Sequence, residues 1–123
     1  MKDDIIELTI PSKPDYISVA RLTSSAIGNS MGLNIDDIED IKVSIAEACI
    51  NALNKSDEIS MVFNAGKDKL TMKVDNVFPC KDNEMDAGKE IEMGILIIES
   101  LMDEVRFDEK GIEMIKYVKD GTQ

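Results

Sequence analysis

Apolar residues alternate from Ile5 to Ile10, with Ile6, Leu8 and Ile10 on one side, until Pro11 and Pro14 end the run. A period of two closed by proline predicts a strand. The spacing then lengthens. From Asp15 to Met31, the residues Ile17, Ala20, Arg21, Ser24, Ala26 and Ile27 recur at broadly helical intervals and Gly32 supplies a stop, so a first helix is expected. Beyond it, Asn34 stands ahead of Ile35, Ile38, Ile41, Ile45, Ala48, Cys49 and Ala52, an i, i+3, i+4 stripe sustained over about five turns. Asn34 is a suitable N-cap for this second helix, and Asp36, Asp37 and Glu39 set negative charge near the positive end of its dipole.

Period two returns at Ile59, Met61 and Phe63 and again at Leu70, Met72 and Val74, with residues 64–69 as a turn, which predicts a β-hairpin. Residues 78–90 mix Pro79, Gly88 and charges without a period and read as a loop. Residues 91–102 are apolar almost all round. Their length favours a helix buried on most of its surface over a short core strand at Ile95–Ile98. Residues 104–107 and 112–118 flank a Glu109-Lys110-Gly111 turn and predict a closing pair of strands. The expected order is β-α-α-β-β-α-β-β. It implies an α+β two-layer sandwich with helices on one face of a mostly antiparallel mixed sheet.

Length changes this picture little: 123 residues make one domain that buries roughly two thirds of the surface its unfolded chain exposes. Charge says more. A formal charge of −11 without any basic run argues against a nucleic-acid partner, and suits either a basic protein partner or simple solubility. Cys49 and Cys80 form no C-x-x-C pair, which argues against a zinc site or a disulfide framework and for reduced thiols. Met1 leads into Lys2, Asp3, Asp4 and a short strand-like run, neither a signal peptide nor a membrane span, so a cytoplasmic location is expected. Histidine is absent, which excludes serine–histidine and cysteine–histidine nucleophilic chemistry and leaves carboxylates as general bases. The lack of tryptophan and scarcity of other aromatics also removes stacking platforms for bases.

At about 100° per residue, Asp40, Ser44, Glu47 and Asn51 fall in one narrow sector of the second helix, roughly opposite Ile38, Ile45, Cys49 and Ala52. Two readings are open. The sector is a solvated helix face, or Glu47 and Asn51, neighbours at i and i+4, serve as a general base and an oxygen ligand for Mg²⁺.

The wording of the helix bears on that choice. IEDIKVSIAEACINA at residues 38–52 closely resembles the N-box helix of the GHKL (Bergerat-fold) ATPases, and within them the anti-sigma-factor serine kinases of the RsbW and SpoIIAB type. IPSKPDYISVARLTSSAIGNSMG at residues 10–32, IIESLMDEV at 97–105 and GIEMIKYV at 111–118 extend the resemblance, in the family's order, over most of the chain. The resemblance implies that Glu47 is the catalytic base activating a serine hydroxyl and that Asn51 coordinates Mg²⁺ on ATP. It also implies that Arg21 contacts protein partners. Those partners are an RNA polymerase sigma factor and the anti-sigma-factor antagonist that the family phosphorylates, and its members usually work as homodimers.

The family's nucleotide pocket also uses a strand-ending D-x-G-x-G motif; the corresponding residues here are Val74-Asp75-Asn76-Val77-Phe78-Pro79. Parity from Leu70, Met72 and Val74 puts the adenine-reading position on Asn76, and a one-residue shift puts it on Asp75. Neither register recovers the glycines. The G-x-G motif that presents backbone N–H groups to phosphates is Ile91-Glu92-Met93-Gly94, so only Gly94 remains and Glu92 brings a carboxylate toward the phosphates' place. The lid is short and holds Lys81 and Lys89 but no arginine. The expected function is therefore an anti-sigma-factor-like regulator that binds a sigma factor, its antagonist, or both, with nucleotide binding weak or lost. The alternative is an active ATP·Mg²⁺-dependent serine protein kinase.

Overall fold

The computed structural model describes residues 2–79 and 86–119. The chain runs β1 (Asp4–Pro11), a 3₁₀ turn (Pro14–Tyr16), α1 (Ile17–Met31), α2 (Ile35–Ala52), β2 (Glu58–Ala65), β3 (Lys69–Asp75), α3 (Asp86–Leu101), β4 (Glu104–Phe107) and β5 (Gly111–Tyr117). The α+β two-layer class and the element order are as expected. The strands form one sheet in the order β1-β2-β3-β5-β4. All four ladders are antiparallel, so no parallel pair of a mixed sheet occurs among the described strands.

Register explains why these residues make this sheet. Leu8 pairs with Met61, Met61 with Val74 and Val74 with Ile112, while Ile6, Phe63, Met72 and Met114 form the next row. Each row lies on the helix-facing side, since side chains alternate across a strand. A slip of one residue would turn every row to the opposite face. Met61, Phe63, Met72, Val74, Ile112 and Met114 are buried. At roughly 1.5–3 kcal/mol for each such side chain, burial outweighs exposed ion pairs such as Lys73–Glu113 on the uncovered face.

The helices close the other side of this core. Asn34 caps α2 as expected, its side-chain oxygen accepting from Asp37 N–H at 2.8 Å. Gly32, at φ 85°, ends α1 in the left-handed region. Two sequence expectations fail at α3. It begins at Asp86, inside the segment read as loop, while Cys80 and Lys81 lie outside the described residues. Nor is it buried on most of its surface: Ile95 and Ile98 are inside, but Met93 and Leu96 are more than half exposed. A helix on the outside of a two-layer domain buries one stripe whatever its composition. No described helix is long and apolar enough to cross a membrane.

One inward position in β5 is charged. Lys116 is 3% exposed, with its ammonium 3.2 Å from Asp40 and 3.9 Å from Asp37 on α2, and it donates to the Leu101 carbonyl at the end of α3. This ammonium joins β5 to the start of α2 and the end of α3, where an unpaired buried charge would be costly.

Candidate functional site

The polar sector of α2 is not a solvated face. Ser44 is fully buried, Asn51 is 8% exposed, and Asp40 and Glu47 are half-buried. The sector turns toward α3, where Gly94 faces it: a Cβ built on Gly94 would stand 3.1 Å from both Glu47 Oε1 and Asn51 Nδ2. Glu47, Asn51 and Gly94, chosen from separate stretches of sequence, therefore meet at one point. A bulkier residue at 94 would push the two helices apart, and glycine lets them close. At this seam the Asn51 amide nitrogen and the Ser44 hydroxyl are buried without a hydrogen-bond partner. Such groups are uncommon in interiors, because each retains the cost of its lost hydration.

The remaining sequence-derived positions scatter. Arg21 is exposed on α1, away from this seam. Asp75 ends β3 opposite Gly111, and strand alternation sets it with Thr71 and Lys73 on the uncovered side of the sheet. Asn76 follows with φ 68°, a left-handed conformation that asparagine tolerates. Its N–H donates to the Lys110 carbonyl at 2.8 Å, and its own carbonyl accepts from Lys55 at 2.9 Å. The sequence reading gave Lys55 no role, yet it links the end of α2 to the end of β3. Partial burial lowers its ammonium pKa below the ordinary value.

A triphosphate needs free backbone N–H groups at a helix N-terminus. Gly94 does not provide them, because α3 starts at Asp86 and Gly94 lies about two turns inside it. There, N–H groups bond to carbonyls four residues earlier; only those of the first turn are free. Glu92 is exposed on the same stretch. Gly94 therefore does not itself stand at a helix N-terminus among the described residues, while Glu47 and Asn51 keep a carboxylate and a carboxamide side by side.

Comparison with known proteins matches residues 10–116 to the histidine kinase-like ATPase domain. The chain is 35% identical to the serine-protein kinase RsbW of Bacillus licheniformis over 147 aligned residues, which take in 97% of this chain and 92% of that protein. It is 32% identical to the serine-protein kinase RsbW of Bacillus subtilis (94% and 86% covered) and 36% identical to that of Staphylococcus epidermidis (94% and 88%). An alignment of 147 positions exceeds the 123 residues available here, so the Bacillus licheniformis protein carries residues that this chain lacks.

Proposed function

We propose, from the premise that this chain belongs to the histidine kinase-like ATPase family alongside the RsbW serine-protein kinases, that it is a partner-switching regulator. In this reading it is cytoplasmic and homodimeric, and it holds a sigma factor, an anti-sigma-factor antagonist, or both. It does so with nucleotide binding weak or lost. One observation carries the nucleotide part: α3 runs unbroken from Asp86 through Gly94. Phosphoryl transfer depends on positioning and charge stabilisation, so Glu47 without a phosphate cradle has little to act on.

The second reading, an ATP·Mg²⁺-dependent serine protein kinase, is supported by Glu47 and Asn51 meeting side by side against Gly94. Calorimetric titration with ATP and Mg²⁺ separates the two. The regulator reading expects no binding in the micromolar range, with capture of a sigma factor or antagonist retained and weakened by Arg21→Ala. Micromolar, Mg²⁺-dependent affinity that Asn51→Ala abolishes would overturn the lost-nucleotide reading and favour the kinase reading, which transfer of phosphate to a serine of the antagonist would then establish. Unchanged capture by Arg21→Ala would remove Arg21 from the partner surface.

A further inference from the structure

Packing supplies most of the stability of a helix in a folded protein, and α3 is anchored over only part of its length. Gly94 is buried against α2, Ile95 and Ile98 lie inside, and Met102 just past the end of the helix is buried as well. Ahead of Gly94 the side chains turn outward. Glu90 and Glu92 are exposed, Met93 is 59% exposed, and Ile91 is half-buried. The helix still continues back to Asp86, eight residues before Gly94.

With no fully buried side chain described in these turns, local propensity has to hold them. Each residue added to an existing helix favours the wound form by a factor of about 1–1.6 in good helix formers. Gly88 disfavours it about fivefold relative to alanine. Over about two turns these factors leave the wound and unwound forms within roughly tenfold of each other. An unwound form whose helix begins at Gly94 gives up the partial burial of Ile91 and keeps Ile95, Ile98 and Met102 in the core.

Unwinding changes the chemistry at Gly94. The first-turn N–H groups of the shortened helix are unbonded. They emerge beside Asn51, whose amide nitrogen is buried, has no hydrogen-bond partner among the described residues, and would stand 3.1 Å from a Cβ at position 94. All of these groups are donors, which suits an anion. Glu47 Oε1 is equally close to that point, so the anion has to arrive with a cation.

We propose that residues Asp86 to Met93 of α3 are a helix–coil switch that decides whether Gly94 lies inside the helix or at its start. Wound, the segment keeps the N–H donors in intrahelical bonds; unwound, it presents them, with Asn51, to a cation-bound polyphosphate. The inference rests on the reading above only in taking the wound form, and with it weak nucleotide binding, as the resting state.

The test uses the full chain. The N–H groups of residues 94–97 bond to carbonyls of residues 90–93 and open with them. Amide hydrogen exchange followed by NMR should therefore show protection of roughly tenfold for residues 90–97. From Ile98 onward it should be on the order of a thousandfold or more, set by global unfolding. Equal protection on both sides of this boundary overturns the switch. Glu92→Pro blocks the wound form and should lower the folding equilibrium constant by at most about tenfold in urea denaturation, whereas Glu99→Pro, also at an exposed residue but in the anchored half, should lower it more than about a hundredfold. Similar losses in the two variants overturn the proposal. In calorimetric titration with ATP and Mg²⁺, Glu92→Pro should bind up to about tenfold more tightly than the parent. Glu92→Gln, which removes the charge and keeps the helix, should not match it. No gain in the proline variant, an equal gain in Glu92→Gln, or a gain that survives addition of Asn51→Ala overturns the proposal. A protection boundary together with micromolar affinity in the parent supports the switch and overturns the weak-binding reading; uniform protection with weak affinity does the reverse.

Discussion

Replacing Gly94 by alanine sets two effects of similar size against each other. Inside a helix, glycine to alanine stabilises by about 0.8–1 kcal/mol, because alanine restricts the unfolded chain and glycine does not. At this position, however, the new Cβ would come within 3.1 Å of Glu47 Oε1 and of Asn51 Nδ2, and within 3.5 Å of Asn51 Oδ1. Glu47 is half-buried and can swing toward solvent. Asn51 is 8% exposed and hemmed in. Overpacking a confined site costs about 1–3 kcal/mol. The expected net effect is a loss of about 1 kcal/mol, or roughly 4 °C in Tm for a domain of this size.

A double-mutant cycle isolates the cause. In an Asn51→Ala background the obstruction is gone, so Gly94→Ala should there stabilise by about the full 1 kcal/mol of helix propensity. The sign reverses, and the coupling between positions 51 and 94 comes to about 2 kcal/mol. Urea denaturation of the four proteins, followed by far-UV circular dichroism, measures it. If Gly94→Ala stabilises the parent chain as much as it does the Asn51→Ala variant, the two helices do not close at this point, and the seam described above is wrong.

Two further outcomes follow from buried groups. Lys116→Met leaves Asp37 and Asp40 without their buried cation and should cost about 3 kcal/mol; an unchanged urea midpoint would show that the ammonium does not hold β5 to the helices. Burial pushes the Cys49 thiol from 9.0 up to about 12, so in a Cys80→Ser variant a chromogenic disulfide at about pH 8 should label Cys49 only after unfolding. Prompt labelling of the folded protein would contradict its burial. Because the folded pKa lies above the unfolded one, this thiol's contribution to stability is level below pH 9 and declines as pH rises toward 12.

Much of the fold was legible because period and register agree. The Leu70, Met72 and Val74 alternation lies in the sheet as read, and the Asn34 cap forms its bond to Asp37. The polar sector of α2 was legible in position but not in environment. Periodicity shows that Asp40, Ser44, Glu47 and Asn51 share a face, and it cannot show that α3 covers that face. Lys116 was missed because an isolated lysine in a strand normally points to solvent. Its parity with Ile112 and Met114 was the available signal, and its partners lie 76 and 79 residues away in sequence. The start of α3 was misplaced for a different reason: Gly88 and the charges around it carry no period, although a helix already formed extends through such residues at modest cost.

That extension links the sequence of the glycine segment to its chemistry. A phosphate cradle is a matter of where a helix begins, since only the first turn has N–H groups to offer. Glycines just ahead of a helix hold its start in place by disfavouring further turns. Here Glu92 and Met93, residues of good helix propensity, precede Gly94. The helix anchored by buried Ile95 and Ile98 continues backward through them to Asp86. The absence of glycines ahead of Gly94 and its place inside α3 are therefore one feature seen at two levels.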